Sequence, residues 1–283
     1  VWAIAFERGV SGFPVGGKVT VPIDEARFRA SPFRTEAAGS VLEIPPKQGR
    51  AEGELTAADG TVLRWSLRFS PVGPSYRPYP AEVFYRAPLP RTKVITPCPD
   101  TRFAGEVRVG EDTWTLRGWP GMQGHNWGSQ HSEPYVWAHA NAWEGGTHDG
   151  VWLEAMASRV GLGPVQTPWL AVAGIHVDGR TVRFDGARAI LRPRVELDQR
   201  RWWFRLNLRG ASLEGEIEAR GDDMAGLRYE NPDGSAIACL NSKLARGRFV
   251  LRRAGRPELT LESERVALEI GTAAEDHGVR MLA

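Results

Sequence analysis

The sequence predicts an all-β protein built from two antiparallel β-barrel or sandwich domains. Three observations carry this. Short runs of alternating apolar and polar residues recur along the chain, nearly every run is bounded by Gly, Pro or an Asp-Gly pair, and no segment keeps a helical period beyond a turn or two. Roughly twenty such runs in 283 residues fit two β domains better than one. The division is expected at 124/125, giving domains 1–124 and 125–283.

In order, strands are expected at 2–8, closed by Gly9, at 18–22 after Gly16-Gly17, at 26–30, and at 39–44 before the breaker Pro45-Pro46. Residues 50–57 and 61–69 flank Ala58-Asp59-Gly60, a hairpin signal. In the second arm Leu63, Trp65, Leu67 and Phe69 alternate with Val62, Arg64, Ser66 and Arg68, so one face is apolar. Residues 70–99 hold eight prolines, with Tyr76, Tyr79, Phe84 and Tyr85 among them. Proline lacks the N–H that a ladder or helix needs, so this stretch reads as a connection packed on its own aromatics. Residues 102–109 and 112–118 form a second hairpin around Gly110-Glu111.

Beyond 124, strands are expected at 135–143, 151–160, 169–177 and 180–184, the last two joined at Asp178-Gly179. Others follow at 187–191, 202–208, 211–219, 236–240, 247–253 and 259–270. A Gly-Glu-aliphatic opening repeats at 51–57, 103–109 and 213–219, which suggests two related β halves.

The most informative stretch is Gly121-Met122-Gln123-Gly124-His125-Asn126-Trp127-Gly128 with the strand that follows. Alternation puts Tyr135, Trp137, His139, Asn141 and Trp143 on one face and Val136, Ala138, Ala140 and Ala142 on the other. The bulky face mixes indole, imidazole and amide, as a strand lining a ligand cavity should; the small face invites close packing. On the returning strand Trp152, Glu154 and Met156 share a face, and a register pairing Asn141 with Glu154 would add them to the bulky one.

Composition narrows the partners. Basic residues number 36 and acidic ones 34, spread without a basic block, which argues against nucleic acid. Only four of the basic residues are Lys, a bias typical of GC-rich coding. Cys98 and Cys239 have no CxxC or zinc spacing and are expected free and buried. No apolar run approaches the roughly 18 residues that span a bilayer, and residues 1–9 lack the pattern of a secretory signal. The expected location is cytoplasmic, with peripheral membrane contact as a route for lipid uptake; the first residue is Val rather than Met, which points to residues removed upstream.

The run Asn126-Trp127-Gly128, a short spacer, then Trp137-x-His139-x-Asn141-x-Trp143 resembles the tocopherol cyclases, in which Asn-Trp-Gly precedes a Trp-x-Gln-x-Asn-x-Phe strand. A looser Trp-Gly motif of the same kind occurs in bacterial carotenoid hydratases. The resemblance covers roughly residues 119–252, with His125 and His139 standing where that family has Lys and Gln. It implies two lipocalin-like β domains enclosing an apolar ligand, a prenylated quinol or a polyene or other isoprenoid lipid, with no cofactor and no metal.

The chemistry implied is protonation of a trisubstituted alkene to a tertiary cation, captured by a phenol oxygen or by water. Such a site needs an acid, a dry cavity and something to hold a cation. Seven of the eleven Trp lie between Trp114 and Trp169, and desolvated indole faces stabilise cations by roughly 1–2 kcal/mol. Glu154, His139 and His125 are the candidate acids. Asn126, Trp127, Tyr135, Trp137, Asn141, Trp143, Trp152 and Met156 are the candidate ligand contacts, Asn141 orienting a substrate hydroxyl. Plainer readings stand beside these. Trp127 matches the packing Trp that plugs lipocalin-type barrels, clustered Trp are commonly core, and His125, His131 and His139 form a metal site only if the fold gathers them. His148, His176 and His277 are expected near exposed turns. A carrier that binds the lipid unchanged, and a structural β protein with no cavity, are the alternatives to an enzyme.

Overall fold

The computed structural model describes residues 1–44, 48–146, 148–162, 165–231 and 233–283, and the breaker Pro45-Pro46 lies outside them. The chain is all-β and antiparallel, as expected. A ribbon of β1 (Trp2–Ala5) and β2 (Val15–Lys18) precedes a seven-stranded meander. Its strands are β3 (Arg27–Ala30), β4 (Phe33–Ala37), β5 (Ser40–Ile44), β6 (Gly49–Thr56), β7 (Val62–Pro71), β8 (Thr92–Val109) and β9 (Asp112–Gly128), with helix α1 (Val83–Arg86) before β8. The Asp59-Gly60 and Gly110-Glu111 turns close hairpins where the sequence puts them, Thr56 opposite Val62 and Val109 opposite Asp112.

The second sheet follows the spacer 129–134. It contains β10 (Tyr135–Ala140), β11 (Trp152–Ser158), β14 (Leu170–Val177), β15 (Arg180–Phe184), β16 (Arg194–Leu197), β17 (Arg201–Leu208), β18 (Ala211–Glu218), β19 (Ala225–Glu230), β20 (Ala236–Arg253) and β21 (Leu259–Thr272). A small ribbon of β12 (Gly161–Leu162) and β13 (Val165–Gln166) and the short helix α2 (Ala187–Leu191) interrupt it. Strand order is β15-β14-β11-β10-β21-β20-β18-β17-β16, with β19 on the first half of β20. The expected boundary at 124/125 lies within β9, and the change from one sheet to the other comes at 129–134.

One large apolar core fills the concave side of the second sheet. Val136, Ala138 and Ala140 of β10 meet Leu153, Ile175, Phe184, Trp202, Phe204, Leu213, Phe249 and Leu268 there, so both ends of the strand order contribute. The first sheet has a smaller core around Leu55, Leu63 and Val109, packed on Ala5 and Val15 of the ribbon.

Several elements differ from the sequence reading. Phe33–Ala37, Arg194–Leu197 and Ala225–Glu230 are strands it did not mark, and the strand expected at 18–22 falls at Val15–Lys18. Residues 92–99 belong to strand β8 despite Pro97 and Pro99: β7 pairs with β8 only from Thr101 on, and the ladder with β9 shifts register between Ile95 and Cys98 and again between Cys98 and Thr101. Bulges of this kind leave unpaired positions where a missing N–H costs nothing. Residues 187–191 form a helical turn, not a strand, with Ala189 buried against the core. The two strands expected at 236–240 and 247–253 are one, bent by bulges between Ser242 and Gly247.

Candidate functional site

The outer face of the second sheet turns towards the first sheet, and a cavity of about 930 Å³ lies between them. Its walls are mostly apolar: Val94 and Met122 come from the first sheet, and Trp137, Met156 and Val172 from the second. Thr92, Val94 and Thr96 line it at every second position of β8, the period of two that a strand imposes. Exposed Phe84, Leu89, Gly124, His125 and Asn126 form the rim.

Tyr135 and Trp137 line this cavity while Ala138 and Ala140 pack in the core; Val136 is buried in the core and also borders the cavity, so the alternation on β10 is clearest from Trp137 to Ala140. It stops at Ala140, where the strand ends. Trp143 therefore lies in the core rather than with the bulky face, edge-on to Phe249 at 5.8 Å, its indole N–H donating to the Val151 carbonyl at 2.8 Å. Asn141 does not line the cavity either. Its amide donates to the Gly121 carbonyl at 2.5 Å and to Asp100 Oδ1 at 3.2 Å, joining the two sheets. A hydrogen bond to a charged partner contributes about 1.5–3 kcal/mol.

The register pairs Glu154 with His139, not with Asn141. Both side chains are buried, Glu154 completely, and Glu154 Oε2 lies 3.5 Å from His139 Nδ1, within ion-pair range but outside hydrogen-bond geometry. On its other flank Glu154 opposes Gly174, and the missing side chain there makes room for Tyr76, whose ring carbons would stand 2.6 Å from a Cβ. Tyr76 is held by two backbone hydrogen bonds of 2.8 Å with Thr96. Thr96 Oγ1 lies 2.9 and 2.7 Å from the two Glu154 oxygens, and Thr96 also lines the cavity. Burial and the neighbouring Glu154 charge push the Tyr76 hydroxyl well above the usual phenol range.

The remaining candidates fall elsewhere. Trp152 is fully buried behind this group, stacked on His176 at 5.8 Å and tilted against Tyr76 at 5.2 Å. Trp127 pairs with Lys93 on the far side of β8 and is 39% exposed, so it neither lines the cavity nor plugs a barrel. Asn126 and Met156 line the cavity. His125, like Asn126, lines the cavity at its rim, its ring stacked on Trp127 at 5.2 Å and tilted towards Phe33 at 5.9 Å. His131 faces Tyr229 at 4.9 Å. Partial desolvation pushes both His125 and His131 below the ordinary imidazole value. With His139 beside Glu154, the three histidines have separate neighbours, and no metal-holding group of His, Cys, Asp or Glu occurs among the described residues.

His277 is buried rather than exposed, its Nδ1 accepting from the Val279 N–H at 3.2 Å. Cys98 and Cys239 are free and buried, and burial pushes the Cys239 thiol up to about 12. No helix among the described residues is long and apolar enough to cross a membrane.

Thr96, Tyr76, Lys243 and Glu269 are site residues that sequence reasoning passed over. Thr96 sat in the proline-rich stretch read as a connection; its one signal was the polar side chain at the two-residue spacing Thr92-x-Val94-x-Thr96.

Two comparisons with known proteins bear on the fold. A crystal structure of a protein described as an AttH from Nitrosomonas europaea superposes with a TM-score of 0.51 at 13% identity, covering 92% of this chain and 76% of that one. That likeness establishes a shared fold. Kievitone hydratase from Nectria haematococca aligns with a TM-score of 0.49 at 9% identity, over 84% of this chain and 70% of that one, too distant to inform function. By sequence, uncharacterized proteins from two strains of Mycobacterium tuberculosis are 25% identical over 224 residues, 79% of this chain. The match spans 66% of those relatives' own length. No family model matches the chain.

Proposed function

We propose that the chain binds a prenylated quinol, polyene or other isoprenoid lipid in the cavity between its sheets and protonates an alkene of that ligand, as an acid-initiated cyclase or hydratase would. The carrying observation is Thr96, which lines an apolar cavity and lies within hydrogen-bond distance of a fully buried Glu154. The resemblance of the 126–143 motif to tocopherol cyclases supports the same chemistry.

Glu154 is sealed from the ligand, so its proton has to pass over the Thr96 hydroxyl. A neutral Glu154 donates to Thr96 Oγ1, and the Thr96 proton goes to the alkene carbon. The electron pair of the double bond forms the new C–H bond and leaves a tertiary cation in the apolar cavity. A phenol oxygen of the ligand, or a water, closes on the cation and loses its proton back through Thr96 to the Glu154 carboxylate. His139, beside that carboxylate, is the group that steadies its charge between the two transfers.

The test is turnover of a prenylated hydroquinone or a polyene by wild type, Glu154→Gln, Thr96→Val and Thr96→Ser. We expect Gln and Val to lose at least a hundredfold in rate with binding within about threefold, and Ser to keep most activity. Full activity in both Glu154→Gln and Thr96→Val would end this reading. A second reading, a carrier that leaves its lipid unchanged, is favoured by one fact: neither Glu154 nor His139 itself lines the cavity. Native mass spectrometry that finds a co-purified lipid, with no product after long incubation, would establish the carrier.

A further inference from the structure

The cavity has a second polar station that the chemistry above does not use. On the outer face of the second sheet, Trp137 of β10, Glu269 of β21 and Asn241 of β20 form one cross-strand row. The bulge after Ser242 brings Lys243 onto the same row. Its Nζ donates to Asn241 Oδ1 and to Glu269 Oε1, each at 3.2 Å, and lies 5.6 Å from the centre of the Trp137 ring. Lys243 and Glu269 both line the cavity. Both are only part-buried, so the pair is reachable.

The donor count leaves a specific opening. An ammonium carries three N–H donors, and two are engaged. Glu269 Oε1 takes one of them, while Oε2 has only the Cys239 thiol, 4.0 Å away, among the described residues. One free donor therefore sits beside one free acceptor, flanked by an indole face. A hydroxyl, which both donates and accepts, fits that pair. A carboxylate or phosphate would meet the Glu269 charge, and an ether could use the donor but not the acceptor.

We infer that Lys243 and Glu269, with Trp137, form a head-group subsite selecting an amphiphile whose polar end is a neutral hydroxyl, and that the apolar remainder of the ligand extends towards Thr96. Glu269 lies two strands and two residues from Glu154 in the register, about 12 Å along the sheet. Head and acid therefore engage different parts of one ligand, an arrangement that fits capture of the cation by water rather than by the head-group oxygen. The subsite rests on the reading above only in taking the cavity as a lipid site, and it holds equally for an enzyme or a carrier.

The experiment compares three probes of one carbon skeleton, farnesol, farnesyl methyl ether and farnesoic acid, by titration against tryptophan fluorescence. Wild type is expected to bind farnesol about tenfold more tightly than the ether, with farnesoic acid weakest at pH 8. Lys243→Met and Glu269→Gln should each bring farnesol down to the affinity of the ether, leaving the ether within about twofold. Because either single variant leaves a part-buried partner alone, the double variant Lys243→Met/Glu269→Leu, which removes both charges, serves as the folded control and should show the same loss. Equal binding of farnesol and the ether by wild type, or equal weakening of both in the double variant, would overturn the subsite while leaving the lipid cavity intact. Binding of none of the three by wild type would overturn the subsite and the lipid reading together.

Discussion

The two faces of β10 carry opposite chemistry. Inward, Val136, Ala138 and Ala140 are buried in a largely apolar core. Outward, Tyr135, Trp137 and His139 meet Glu154, Glu269 and Lys243 with a cavity alongside. A lipocalin-like barrel that enclosed its ligand would keep the inward face open. Here Phe204, Phe249, Trp143 and Trp202 fill it, and the cavity of about 930 Å³ lies between the sheets. The inward face contributes stability, at roughly 25 cal/mol per Å² of apolar surface removed from water. The outward face offsets some of it, since a buried carboxyl and imidazole cost more to desolvate than their mutual attraction returns.

The largest effect should come from the inward face. Phe204 is wholly buried, packed at 4.6 Å from the Trp202 ring, and Phe204→Ala is expected to cost about 3–5 kcal/mol in urea denaturation. A loss under 1 kcal/mol would mean that the inner core is loose, and the contrast between the faces would lapse.

Thr96→Val probes the junction of the two regions. It keeps the shape and removes a bond to a buried carboxyl, so about 1–3 kcal/mol should be lost, and Thr96→Ser should recover most of it. Valine and serine variants of equal stability would show that the hydroxyl does not hold Glu154.

The smallest effect is a change of slope with pH. Burial holds the Asp100 carboxyl above the ordinary carboxylate range, more strongly than Arg102 lowers it. The folded state therefore keeps that proton longer than the unfolded chain does. The stability from this group is present at low pH and lost as pH rises from the unfolded carboxylate value through the raised folded one. Asp100→Asn titrates nothing there, so its stability relative to wild type should climb across that interval. Parallel curves for the two proteins would refute the direction.

Local signals in the chain were legible and the site was only partly so. The hairpins at Asp59-Gly60, Gly110-Glu111 and Asp178-Gly179 formed where expected because a turn needs a few neighbouring residues and nothing else; Asp178 and Gly179 both take positive φ, 53° and 69°. The two faces of β10 followed from alternation for the same reason. Trp143 escaped that argument because alternation carries no signal of where a strand ends. Pro97 and Pro99 misled because a proline's cost depends on whether a bulge sits under it, which only the partner strand decides.

The sequence by itself determined the all-β class, the segregation of large from small residues on β10, and the choice of Glu154 and His139 as candidate acids. Each rests on spacing along one strand or on composition. Tertiary structure alone decided that His139 stands opposite Glu154, that Thr96, 58 positions away in the chain, carries Glu154 to the cavity, and that Lys243 meets Glu269. Those contacts depend on cross-strand register and on how one sheet lies on another. A shift of one residue exchanges every side chain between the two faces, so the site exists only once the ladders have closed.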